Sequence, residues 1–174
     1  SKVALVDIIS KYILRQKGKK IRPILVLLAA KLCGEVNDRT YIAATLVEML
    51  HTATLIHDDV VDDAKMRRGL ASINAVWKNK IAVLMGDYML SRGLLLALEN
   101  DECGFLKITS RAVKRMSEGE LLQIQKNRKL EVTEETYFRI ISDKTASLIN
   151  ACCELGAAST SKEKSDITLL GDYG

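Results

Sequence analysis

Apolar side chains recur at helical spacing along most of the chain. Between residues 42 and 60 they return every three or four positions, at Ile42, Leu46, Met49, Leu50, Ala53, Ile56 and Val60. One face of an α-helix has this period. No segment alternates apolar and polar residues over a convincing length, so we predict an all-α protein without a sheet.

Capping and breaking residues delimit the predicted helices. The single proline, Pro23, stands in the first turn of a helix that ends at Gly34. Asparagine and aspartate at 37–38 can cap the next helix, which reaches Asp62, and Thr133 can cap a later one. The other predicted helices cover residues 1–16, 81–99, 104–126, 133–157 and 162–173.

Several of these segments are apolar around most of their circumference, which is typical of helices inside a large bundle. The 174 residues suffice for one domain with a hydrophobic core. Hydrophobic residues make up 48% and charged residues 28%, as in globular proteins. We therefore expect a single helical domain over residues 1–174.

Charge and targeting signals narrow the functional classes. The net charge is +4 and no run of like charge dominates, so we expect no nucleic-acid partner. No secretory signal pattern opens the chain, and no apolar run reaches the roughly 20 residues of a membrane span. These features predict a soluble, cytoplasmic protein. Reduced and mostly buried thiols are expected at Cys33, Cys103, Cys152 and Cys153, because no C-x-x-C pair occurs.

Four aspartates follow an apolar stretch in LIHDDVVDDAKMRRG, residues 55–69. At 100° per residue, Asp58 and Asp62 share one helical face, with Asp59 beside them. These carboxylates repel one another, and the negative end of the helix dipole destabilises them further. We therefore expect a cation to lie among them. Oxygen ligands completed by substrate phosphates suit Mg²⁺. The alternative is a solvated acidic helix end.

Basic residues stand near these acids in the sequence or on the same predicted face. Arg67 and Arg68 follow directly, and metal with arginine is suited to binding a diphosphate. The segment GKKIRP places Lys19, Lys20 and Arg22 at a helix N-terminus, which favours anions. An ordinary solvated basic turn is the alternative there. His51 lies two helical turns before Asp58 on the same face, either as a ligand-facing residue or as a packed one.

Together these motifs resemble the trans-isoprenyl (polyprenyl) diphosphate synthase family, in particular long-chain members such as octaprenyl and heptaprenyl diphosphate synthases. HDDVVDDAKMRRG is similar to the first aspartate-rich motif of the family, and GKKIRP to its GKR-x-RP segment. VEMLHTATLIHDD, GDYML, EGELLQI and DKTASL stand in family order. Terpene cyclases share DDxxD alone, whereas the combination is specific. The resemblance implies a helical bundle around a central cavity, usually in a homodimer.

The resemblance also implies roles for individual residues. Mg²⁺ would be bound by Asp58 and Asp62, with Asp59 in support, and Arg67 would contact the allylic diphosphate that the ion holds. Lys144 and Thr145 would face the allylic substrate, and Gln123 the same cavity. The diphosphate of isopentenyl diphosphate would be held by Lys19, Arg22, His51 and Arg68.

Product length can be argued from the helical turn that precedes the acids. Ala53 and Thr54 are small, so a growing chain that extends along the helix away from the metal could pass them. This favours a long-chain product, and the floor could lie as far down as Met85 or Met89. Close helix packing is the alternative reason for the small residues.

The family carries a second aspartate-rich motif downstream of KTASL, and LLGDYG does not reproduce it. We therefore expect the domain to be incomplete at its C-terminus and also at its N-terminus. Two other functions stay open. One is a non-catalytic subunit of a heteromeric prenyl synthase, and the other a helical metal- or nucleic-acid-binding module without catalysis.

Overall fold

The computed structural model describes residues 3–16, 18–129 and 133–174. Its helices are α1 Ala4–Arg15, α2 Ile21–Cys33, α3 Asp38–Val61, α4 Ile73–Glu99, α5 Cys103–Lys129, α6 Glu134–Ile141, α7 Ser147–Thr160 and α8 Lys164–Tyr173. A π-helix, Ser142–Ala146, joins α6 to α7. The all-α prediction is confirmed, although the helix expected over 133–157 contains this π-helical turn.

The predicted caps are also present. Thr133 Oγ1 accepts the Thr136 N–H at the start of α6. Asn37 Oδ1 accepts the Thr40 N–H at the start of α3. Each side chain satisfies a backbone donor that the first helical turn leaves open.

A short hairpin follows α3. Strands β1 Met66–Arg67 and β2 Leu70–Ala71 pair antiparallel. Arg68 and Gly69 form the two-residue turn with φ of 50° and 81°, as a type I′ turn requires. The prediction of no sheet is wrong at this hairpin, because strands of two residues are too short to show an alternating pattern.

Helix α4 is interrupted at Lys78, where φ is 72° and ψ is 161°. The helix expected over 81–99 corresponds to the part beyond this break. Among the described helices, α4 is long and apolar enough to cross a membrane by length and composition. Core helices of water-soluble proteins have the same properties, so the absence of a transmembrane segment stays a prediction.

The chain divides into two compact units. Unit 1 comprises Ser1–Lys20 and Glu48–Leu96, and unit 2 comprises Ile21–Val47 and Ala97–Gly174. The single-domain expectation stays a prediction. Unit 1 is held by a buried apolar cluster of Ile9, Ile56, Ile73, Ala82 and Met85.

Unit 2 is centred on the packing of α2 against α7. A β-carbon on Gly156 would lie 2.3 Å from the Val26 carbonyl oxygen, so the glycine lets the two helices approach closely. The hydroxyls of Thr40 and Ser159 meet at 2.8 Å in the interior. No disulfide joins the four cysteines, as predicted. Two of them, Cys152 and Cys153, are buried, whereas Cys33 is half-buried and Cys103 is exposed, so the expected burial holds for half of them. Burial raises the pKa of the Cys153 thiol, which keeps it protonated.

Candidate diphosphate- and metal-binding site

The last turn of α3 ends in a Schellman motif. The Ala64 N–H donates to the Asp59 carbonyl at 2.9 Å, and the Asp63 N–H to the Val60 carbonyl at 3.4 Å. Asp63 has a φ of 48°, in the left-handed region that aspartate tolerates better than most residues. Its carboxylate pairs with Lys65 at 2.6 Å. The fourth aspartate therefore terminates the helix rather than joining the other three.

Two polar side chains at the start of α4 hold this helix end. Asn74 Nδ2 donates to the carbonyls of Asp59 at 3.0 Å and Ala64 at 3.1 Å. Ser72 Oγ donates to the Ala64 carbonyl at 2.6 Å. Both residues are buried. Sequence reasoning missed them, and the only available signal was a serine at the position that caps an apolar helix.

The Asp59 carboxylate is buried and accepts two hydrogen bonds from Arg67, through Nε at 2.8 Å and through Nη2. These bonds are the largest cause of the raised pKa of Arg67, burial opposes the shift, and the charges of Asp59, Asp58 and Asp62 add to it. Asp59 thus contacts Arg67, and the charges of Asp58 and Asp62 also favour the protonated guanidinium. In this state Asp59 contacts Arg67 directly, so its supporting role toward a metal stays a prediction.

Asp58 and Asp62 lie one helical turn apart. The Asp62 N–H donates to the Asp58 carbonyl at 2.8 Å, which continues the helical geometry past Val61. Asp58 is half-buried and Asp62 exposed. Within the described ranges no three carboxylate, imidazole or thiol groups form a complete metal cluster. Mg²⁺ is commonly held by one or two carboxylates with waters and substrate phosphates, and these two acids fit that requirement.

Arg67 and Arg68 contact different residues of unit 1. Arg67 belongs to β1, whereas Arg68 is the first residue of the turn, so adjacent arginines leave the hairpin in different directions. The Arg68 guanidinium lies against Gly18. Nearby, Lys20 forms an ion pair with Glu48 at 2.5 Å, while Lys19 is exposed.

His51 is buried two turns before Asp58. Its carbonyl accepts the Thr54 hydroxyl at 2.9 Å. Ala53 is only 2% exposed, whereas Thr54 is half-buried. Of the two predicted product-length residues, Thr54 is therefore the more accessible.

His57, which directly precedes Asp58, contacts α4. Sequence reasoning missed this contact. His57 Nε2 lies 3.3 Å from the Asp87 carboxylate. A β-carbon on Gly86 would lie 2.3 Å from the same nitrogen. The GDYML segment thus gives the imidazole space through its glycine and a partner through its aspartate.

In unit 2, the π-helix carries Lys144 and Thr145. Lys144 Nζ lies 2.5 Å from the Glu120 carboxylate and 3.1 Å from Gln123 Oε1, so Lys144 and Gln123 are in contact, and their facing the allylic substrate stays a prediction. Both partners lie on α5. A β-carbon on Gly119 would lie 3.0 Å from the Lys144 backbone nitrogen, so this glycine allows α5 to approach the π-helix.

The other predicted residues of unit 2 differ in exposure. Thr145 is exposed and lines an apolar groove with Phe138, Ile141 and Ile149. Arg22 is half-buried in the first turn of α2.

The π-helix that carries Lys144 and Thr145 is itself a feature of interest. A π-helical turn inserts a residue into an α-helix and is frequent at functional sites.

Comparisons with known proteins identify the family. The family model described as "Polyprenyl synthetase" matches residues 3–174. An all-trans-nonaprenyl-diphosphate synthase (geranyl-diphosphate specific) of Rhodobacter capsulatus is 45% identical over 159 residues, 91% of this chain and 49% of that protein. Octaprenyl diphosphate synthase of Escherichia coli K12 is 39% identical over 177 residues, covering 100% of this chain and 54% of that protein.

The crystal structure of a polyprenyl synthase from Caulobacter crescentus CB15, complexed with calcium and isoprenyl diphosphate, superimposes with a TM-score of 0.93 and 36% identity, over 99% of this chain and 53% of that one. The chain thus spans about half the length of the relatives that it matches. With the family model matching almost its whole length, the chain belongs to the polyprenyl synthetase family.

Proposed function

We propose that the protein containing this chain is a prenyltransferase that condenses isopentenyl diphosphate with an allylic diphosphate. Its product would be a long-chain trans-polyprenyl diphosphate, the precursor of a quinone side chain. The observation that carries the proposal is the pairing of the buried Asp59 carboxylate with Arg67 at the end of α3, on the segment that also carries Asp58 and Asp62, while the Arg68 guanidinium lies against Gly18. The nonaprenyl and octaprenyl synthases named above support the long-chain product.

Asp58 and Asp62 would hold Mg²⁺ together with the allylic diphosphate. When bound, the ion would neutralise the charge that develops on the departing diphosphate. The Caulobacter relative was crystallised with calcium and isoprenyl diphosphate, which supports a divalent ion in the family. The choice of Mg²⁺ rests on the small number of carboxylates, because Mg²⁺ keeps its waters and is completed by phosphate oxygens.

Different side chains would bind the diphosphates of the two substrates. Arg67, oriented by Asp59, would stabilise the allylic diphosphate as it leaves, and Lys144 would add a second cation for the same purpose. The diphosphate of isopentenyl diphosphate would be bound by Lys19, Arg22, His51 and Arg68. Attack by the double bond of isopentenyl diphosphate is followed by loss of a proton to the departing diphosphate, so the scheme requires no protein base.

The allylic cation must be kept from water, and apolar walls would serve that purpose. Thr145 and Gln123 would line the allylic side, and Ala53 and Thr54 would allow the growing tail to pass. Met85 belongs to the apolar core of unit 1 and Met89 packs against it, so either could form the floor of that path. We further propose a homodimer in the cytoplasm that contacts a membrane only to release its product.

The direct test incubates the full-length protein with labelled isopentenyl diphosphate, Mg²⁺ and allylic diphosphates of graded length. Chromatography of the dephosphorylated products should show a long polyprenol, and chelation of the metal should abolish it. Absence of labelled product with every allylic primer would refute the enzymatic proposal. It would leave the non-catalytic subunit and the metal-binding module as the remaining functions.

A further inference from the structure

The Arg68 guanidinium occupies space that only a glycine leaves open. A β-carbon built on Gly18 would lie 2.3 Å from Arg68 Nη1, 2.7 Å from Cζ and 3.2 Å from Nη2. Carbon and nitrogen atoms in non-bonded contact need more than 3 Å, so a methyl group at residue 18 and the present Arg68 position exclude each other.

The requirement for glycine at this position concerns space rather than backbone conformation. Among the described glycines only Gly69 has a positive φ, so Gly18 lies outside the left-handed region that favours glycine. The two glycines therefore serve Arg68 in different ways. Gly69 allows the turn that projects the side chain, and Gly18 leaves room for its charged end.

The other end of the side chain is constrained as well. Arg68 has a φ of 50° in the type I′ turn, a conformation that a non-glycine residue keeps only when its surroundings impose it. The hairpin fixes the Cα of Arg68, and the guanidinium at the other end lies against Gly18. Lys19 follows Gly18 directly and is exposed, whereas Lys20 is already paired with Glu48.

We propose that Gly18 is a positioning residue for Arg68. Because Gly18 has no side chain, the Arg68 guanidinium can lie next to the Lys19 segment. Arg68 and Lys19 can then bind the same diphosphate. The inference rests on the proposed function, in which Arg68 and Lys19 bind isopentenyl diphosphate. Arg68 is exposed, so displacing its flexible end should change substrate affinity without unfolding the protein.

The test is Gly18→Ala in the full-length protein. The KM for isopentenyl diphosphate should rise roughly 10-fold or more, as expected for a lost charge-assisted contact, while the KM for the allylic substrate and the melting temperature stay unchanged. Gly104→Ala is the matched control, because a β-carbon on that α5 glycine meets nothing within 4 Å. It should leave both KM values unchanged.

A double-mutant cycle separates positioning from a general packing effect. Adding Gly18→Ala to Arg68→Ala should cause no further rise in KM, because the group that the methyl displaces is already gone. An unchanged KM in Gly18→Ala, or an additive loss in the double variant, would overturn the inference. An inactive wild-type protein would instead refute the proposed function, so the two failures are distinguishable.

Discussion

At the end of α3, Arg67 lies against a carboxylate that is 3% exposed, whereas Lys144 on the π-helix faces a Glu120 carboxylate that is 32% exposed. Both cations are assigned to the allylic diphosphate, yet they are held differently. Arg67 satisfies a buried charge, so it is part of the fold as well as of the site. Lys144 belongs to a partly solvated pair that contributes little to stability.

The difference indicates how each cation is prepared for its ligand. Asp59 orients Arg67 in advance, because removing a buried carboxylate's partner is costly and the pair resists rearrangement. Lys144 can leave Glu120 for a phosphate at little cost, since water screens both groups. Mutation of Arg67 should therefore change both stability and substrate binding, whereas mutation of Lys144 should change mainly catalysis.

The largest expected effect comes from Asp58→Asn, which removes a metal ligand at nearly constant shape. Metal-dependent turnover in the full-length protein should fall about 10²–10³-fold, because the loss of several kcal/mol of charge stabilisation is expected. Steady-state kinetics across a Mg²⁺ titration measures it. Asp63→Asn is the matched control, since Asp63 ends the helix and asparagine also tolerates its positive φ. Equal losses in both variants would place the metal elsewhere.

Arg67→Ala should lower the free energy of unfolding by about 2–3 kcal/mol, because it leaves the buried Asp59 carboxylate without its cation. Lys144→Ala should lower it by less than about 1 kcal/mol. Urea unfolding at neutral pH measures both. The raised pKa of Arg67 keeps its contribution complete at neutral pH, and the contribution is lost only as the pH rises through that folded-state pKa. Similar losses in the two variants would remove the distinction between the regions.

Mutations of Arg67 and Arg68 should weaken the binding of different substrates. Arg67→Ala should weaken the allylic diphosphate, and Arg68→Ala isopentenyl diphosphate, each by roughly 10–150-fold. The physical reason is the hairpin, which directs one guanidinium to Asp59 and the other to Gly18. Calorimetric titration of each variant with each substrate decides the question. Equal weakening of both substrates in both variants would contradict the division.

Lys144→Ala should lower kcat by about 10-fold or more with a small change in stability, if the lysine stabilises the leaving diphosphate. Glu120→Gln is its control, because it removes the ion-pair partner and leaves the lysine in place. Single-turnover measurements with saturating substrates isolate the chemical step. An equally slow Glu120→Gln variant would show that the pair itself, rather than the cation, matters.

The smallest effect on rate should come from enlarging the two small residues before the acids. Thr54→Phe should shorten the product while the first condensation proceeds normally. Ala53→Phe should also lower stability by about 1–3 kcal/mol, because Ala53 is only 2% exposed and a packed site resists a ring. Chromatography of dephosphorylated products, with thermal unfolding alongside, tests both. Unchanged products would show that neither side chain lines the path of the tail.

Much of this arrangement could be predicted from residue pattern. The helices, the caps at Asn37 and Thr133, and the position of Asp58 and Asp62 one helical turn apart follow from period and residue type. The roles of Ser72, Asn74 and His57 could not be predicted. Their partners lie on other segments, and single polar residues near a helix start are common for many reasons.

The sequence by itself determined an all-helical fold, the acid–arginine motif and the family resemblance, because helical period and motif spacing are local properties of the chain. Only the tertiary structure decided which acid receives Arg67, that Asp63 ends the helix, and that the DKTASL segment contains a π-turn. It also decided that Gly18 lies under Arg68. Helical period and motif spacing do not encode these outcomes, because they depend on which atoms meet across the hairpin, at the helix end and between Gly18 and Arg68.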